Sequence, residues 1–147
     1  MTPSRDEVRA RLCQLGDFLR DVVVSARGID FAAVEGSTAA DTIYAIDRVA
    51  DDTLVTWFER HWPGVELVSE GLHDPVVIGS APAWTVIVDT IDGTRGLMYD
   101  KRSAWSLAAA APHGGSLRDI VVAAMTELPT LKQGMADQVS AVRGGLP

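Results

Sequence analysis

Cysteine is nearly missing from this chain. Cys13 is the only one in 147 residues, which excludes an internal disulfide and a zinc site built from several thiolates. Long apolar runs are missing too: no stretch approaches the roughly 18 residues that a membrane span needs, and the reading is no membrane partner. Basic residues are the minority, 13 against 20 acidic, for a net charge of −7. That balance argues against a nucleic-acid polymer as partner, which requires a basic footprint. It would also repel an anionic substrate unless cations are recruited to the site. Arg5, Asp6 and Glu7 stand where a secretory leader would need an apolar run, so the expectation is a cytoplasmic protein. Repeats and low-complexity tracts are absent. What is present is 47% hydrophobic residues, ample for a core, in a length that suits a single domain over 1–147.

The chain is organised around Trp84-Thr85-Val86-Ile87-Val88-Asp89-Thr90-Ile91-Asp92-Gly93-Thr94. Its apolar, β-branched start reads as a buried strand. Asp89 is expected on the last strand residue and Asp92 in the turn beyond. Their oxygens would converge, and hard cations such as Mg²⁺ favour such clusters. Gly93 allows close backbone approach to a ligand, and the Gly93 and Thr94 amides offer an anion nest. Asp-x-x-Asp-Gly is equally ordinary turn chemistry, so these residues alone leave both readings open.

In chain order, Ser4 and Glu7 fit a capping box. Val8, Leu12, Leu15, Leu19, Val22 and Ala26 then mark one helix face, with Gly28 as the stop. Residues 29–40 read as a connector. A second helix is expected from about Asp41 to His61, with the stripe Ile43, Ile46, Ala50, Leu54 and Trp57. Asp47 falls at the edge of that stripe, either as a semi-exposed carboxylate or as one with a partner. Residues 65–69 alternate as a strand with Glu70 at the tip. If this strand lies parallel beside 84–88, then Glu70, Asp89 and Asp92 form a three-carboxylate cluster whose repulsion a metal would relieve. Residues 71–83 read as a loop in which His73 is solvated. Residues 95–102 read as a loop whose Arg95, Lys101 and Arg102 face either substrate anions or water. A strand at 103–111, a turn at 112–115, an antiparallel partner at 117–128 and a short strand at 139–143 complete the reading. The fold class is α/β in layers (α+β): two N-terminal helices packed on a mixed, mostly antiparallel sheet.

These motifs resemble the inositol monophosphatase family of Mg²⁺-dependent, lithium-sensitive phosphatases. The family signature Asp-Pro-hydrophobic-Asp-Gly-Thr-x-Asn stands here as Asp89-Thr90-Ile91-Asp92-Gly93-Thr94-Arg95-Gly96. The family's helix-start motif has its counterpart in Asp41 to Asp47, and its Glu-Glu strand end in Glu70-Gly71. The resemblance implies metal ligands at Glu70, Asp89, Asp92 and the Ile91 carbonyl, for two or three Mg²⁺ ions, with Mn²⁺ as a substitute. It implies catalytic roles for Thr94 and Asp47, which would orient the attacking water, and phosphate binding by the Gly93 and Thr94 amides. The implied activity is hydrolysis of a small sugar, inositol or nucleotide phosphate monoester by metal-activated water, in a homodimer.

The chain departs from the family at Thr90, Gly96 and Gly71, where proline, asparagine and a second glutamate are usual. The family's later Trp-Asp motif has no counterpart: Trp57, Trp62, Trp84 and Trp105 precede Phe, Pro, Thr and Ser. The expectation is therefore the N-terminal half of such an enzyme, incomplete against the family's five-layer fold. Beside the phosphatase stand a truncated, catalytically weak metal- or phosphate-binding fragment and a self-associating module that needs a second polypeptide.

Overall fold

The computed structural model describes residues 2–26, 34–37 and 42–145, with backbone alone at 34–37 and 42–44. Helix α1 spans Arg5–Ser25 and opens with the expected capping box: the Ser4 hydroxyl accepts from the Glu7 amide at 3.3 Å, and the Glu7 carboxylate accepts from the Ser4 amide at 2.7 Å. Val8, Leu12, Leu15, Leu19 and Val23 are its buried stripe, so Val23 takes the place expected for Val22, and Ala26 already caps the helix. Gly28, the expected stop, lies outside the described residues.

The second helix, α2, spans Ala45–His61 and starts later than expected. Asp41 lies outside the described residues. Thr42–Tyr44 forms a short strand, β2, antiparallel to β1 at Val34–Ser37, so the connector expected at 29–40 contains a strand. Thr, Ile and Tyr all favour the pleated conformation, and Ala45 is the first strong helix former after them. Ile43 thus leaves the helical stripe; Ile46, Ala50, Leu54 and Trp57 remain on it, buried, and Phe58 joins them.

The main sheet holds β3 (Val65–Ser69), β4 (Val76–Ile78), β5 (Trp84–Asp92), β6 (Ala104–Pro112), β7 (Val122–Leu128) and β8 (Gln138–Val142), in the order β4-β3-β5-β6-β7-β8. Only β3 and β5 run parallel. The sheet is mixed and mostly antiparallel, with both long helices on it, as expected. Three details differ. The stretch read as a loop at 71–83 contributes β4 as an edge strand. Part of 95–102 is helical, in α3 (Thr94–Met98). The strand expected over 117–128 is shortened, because Ser116 caps a 3₁₀ turn at Leu117–Asp119.

α1 lies across β6, β7 and β8, and α2 across β5 and β4. Gly16 permits the closest approach, since a Cβ there would strike the Thr126 side chain. Phe58 is fully buried between Trp57 and Trp62, with ring centroids at 5.2 and 5.8 Å. Burying such a ring contributes about 1.5–3 kcal/mol. Alternate strand residues face the other way. Val68, Ile87, Ala109, Ala123 and Ala141 make one cross-strand row of that second face, and Leu107, Met125 and Val139 another. Met125 and Val139 remain 40% and 54% exposed. Among the described residues no helix is long and apolar enough to cross a membrane.

Candidate active site

Parallel pairing of β3 with β5 sets Ser69 against Val88, so Glu70 and Asp89 follow one another off adjacent strand ends. This is the neighbour relation that the three-carboxylate reading required. β5 itself does not stop at Asp89. It continues to Asp92, which is the last strand residue rather than part of a turn beyond.

The continuation carries a bulge. Asp89 pairs with Leu107 and Asp92 with Trp105, so three steps along β5 oppose two along β6. In a regular strand, residues three apart point to opposite faces. The extra residue cancels that inversion. Leu107 and Trp105 share a face, and Asp89 and Asp92 opposite them share it too. Gly93 follows with φ of 97° and caps the start of α3. A Cβ on Gly93 would meet Ala104 at an ordinary 3.6 Å, so backbone conformation rather than space calls for glycine.

Two hydrogen bonds tie this segment to α2. The Thr94 hydroxyl lies 2.8 Å from the Asp47 carboxylate and 3.0 Å from the Ile91 carbonyl, two acceptors for its one proton. The Thr90 hydroxyl donates to Asp51 at 2.8 Å. Asp47, at the edge of the apolar stripe, therefore has a partner, Thr94. Asp51 and its bond to Thr90 are additions from the structure. Their only trace in the sequence is that Asp51 lies one helical turn after Asp47.

Burial pushes the Asp89 carboxyl above its usual range, and the charges of Asp92, Glu70 and Asp47 add to the effect. The Ile91 amide, donating to Asp89 Oδ1 at 3.2 Å, works in the opposite direction. Asp51 is pushed up to about 6, chiefly by burial, against the lowering effect of its bond to Thr90. Asp89 is thus within electrostatic reach of both Glu70 and Asp92. Among the described residues, however, no three His, Cys, Asp or Glu side chains form a group that could hold a metal ion as they stand. The all-oxygen chemistry of Glu70, Asp89 and Asp92 suits a hard cation. His73 is an exposed loop residue bonded to Asp74 at 2.9 Å. Arg95 is exposed on α3, and Lys101 and Arg102 are exposed just after it.

Solved structures share this architecture. Fructose-1,6-bisphosphatase from Leishmania major in holo form superposes with a TM-score of 0.75 at 12% identity, over 99% of this chain and 50% of that one. The fold of the present chain is a partial inositol monophosphatase-type fold. Staphylococcal inositol monophosphatase I complexed with products gives 0.71 at 15% identity, covering 97% of this chain and 49% of that one. SuhB from Mycobacterium tuberculosis gives 0.65 at 17% identity, over 97% and 47%. The chain spans about half the length of the structures it matches. No protein-family model and no curated protein sequence matches it. At such low identity the likeness establishes the inositol monophosphatase-type fold, and the residues of the site must carry the rest.

Proposed function

We propose that this chain provides the cation and phosphate site of an Mg²⁺-dependent phosphomonoesterase acting on small sugar, inositol or nucleotide phosphates. The observation that carries the reading is the β5 bulge, which turns Asp89 and Asp92 to one face beside Glu70. Phosphatases among the structural neighbours support it. Glu70, Asp89, Asp92 and the Ile91 carbonyl would hold the cations, Mg²⁺ or Mn²⁺. When bound, these supply charge neutralisation and Lewis acidity at the phosphoryl group. The protein's own part is orientation. Thr94 passes its hydroxyl proton toward Asp47 and accepts one from the attacking water, while the Gly93 and Thr94 amides hold phosphate oxygens. One neighbour is an inhibitory complex soaked in lithium chloride, and lithium inhibition belongs to the same proposal.

The direct test is phosphate release from a panel of monoesters with Mg²⁺ and with a chelator. The reading predicts release that depends on the cation and is inhibited by lithium. Release unaffected by chelation would contradict it.

A second reading, which concerns assembly, follows from the outer face of the sheet. Away from Asp89, which continues the Leu107 row on β5, the side chains of its two rows are apolar, and at the β7–β8 end Met125 and Val139 stand open for a second copy to cover. We propose a homodimer through this face. Sedimentation at micromolar concentration should give a dimer that Met125→Lys returns to monomer. A wild-type monomer would overturn this assignment.

A further inference from the structure

We propose that Asp51 is a positioning residue of the candidate site: held by Thr90 and accommodated by the missing side chain at Gly71, it fixes where the segment from Asp89 to Thr94 sits against α2. Its link to catalysis rests on the phosphatase reading, while the geometric part stands apart from it. Asp47 and Asp51 lie one turn apart on one face of α2. Each accepts a hydroxyl from the motif segment at 2.8 Å, Asp47 from Thr94 and Asp51 from Thr90. The two bonds, one on each side of Asp92 and Gly93, tie the segment to α2 in addition to its pairing with β6.

Gly71 supplies independent support. A Cβ there would overlap the Asp51 carboxylate, and the overlap involves all three carboxyl heavy atoms. Gly71 has no positive φ and is exposed, so neither backbone conformation nor general crowding calls for glycine. Asp51 is short and bonded to a threonine that is only 6% exposed, and it could yield only by releasing Thr90. The residues at 51, 71 and 90 therefore depend on one another, although they come from α2, the end of β3 and the end of β5. The arrangement has an electrostatic cost: burial and the nearby Asp47 both oppose ionised Asp51. A side chain selected only to fill the space would be apolar.

The test uses the full chain with Asp51→Ala, Gly71→Ala, the double variant and Asp51→Asn. Hydrogen exchange over residues 86–98 is read together with kcat and KM for a small phosphate monoester with Mg²⁺. Asp51→Ala should speed exchange at 90–94 and lower kcat by about tenfold, the scale of one lost positioning hydrogen bond, with KM nearly unchanged. Asp51→Asn, which keeps an acceptor for Thr90, should recover most of both. Gly71→Ala should resemble Asp51→Ala, and the double variant should be no worse than either. If Asp51→Ala does not fold, Thr90→Val against Thr90→Ser decides in the same way, the serine retaining the donor. Unchanged exchange at 90–94, or additive losses in the double variant, would overturn the proposal. Faster exchange in Asp51→Ala, where the wild type itself shows no phosphatase activity, would uphold the positioning role and defeat the phosphatase reading instead.

Discussion

Removing the Thr94 hydroxyl is expected to lower kcat for phosphate release by about 10²–10⁴-fold, the usual contribution of positioned proton transfer. Valine is the variant of choice because it keeps the shape and deletes only the polar group. In the native site the hydroxyl sits 2.8 Å from Asp47 and 3.0 Å from the Ile91 carbonyl. Its proton can go to the carboxylate while its lone pairs receive the proton of an incoming water. Thr94→Val removes that relay and leaves Asp47, half-buried, without this donor. KM should change little, because the lost interaction belongs to the transition state rather than to ground-state binding. Thr94→Ser keeps the relay and should stay within about tenfold of wild type, losing only the methyl packing that fixes the rotamer. Initial rates at saturating substrate check both variants. A valine variant within a few-fold of wild type would remove Thr94 from the mechanism.

Much of this site could be read along the chain, because its parts announce themselves locally. Alternation marks β3, the apolar run marks β5, and each ends in an acid at its C-terminal tip. The capping box at Ser4 and the stripe of α1 are likewise local patterns. The remaining features depend on partners remote in sequence. The bulge exists only in the pairing of β5 with β6, so no inspection of Asp89 to Asp92 alone reveals that both acids share a face. Asp51 reaches Thr90 across 39 residues, and only their meeting explains why Gly71 is bare. β4 is three residues on a sheet edge, too short to show a period. The apolar stripe alone extends the helix over Thr42–Tyr44, because Ile43 fits it, but β propensity and pairing with Val34–Ser37 prevail there.

Half of an inositol monophosphatase-type fold can present a competent set of oxygens only if those oxygens capture a cation. Asp89 decides this, since burial, and after it the charges of Asp92 and Glu70, oppose its ionised form. A bound cation reverses that penalty, and a neutral amide cannot take part in the reversal. The measurement is a calorimetric titration of Mg²⁺, repeated with Mn²⁺, into the wild-type chain and into Asp89→Asn. Binding to the wild type that weakens by at least about tenfold in Asp89→Asn, as expected when a charged donor is lost, is the predicted result. No heat from the wild type, or the same affinity in both proteins, would contradict the account.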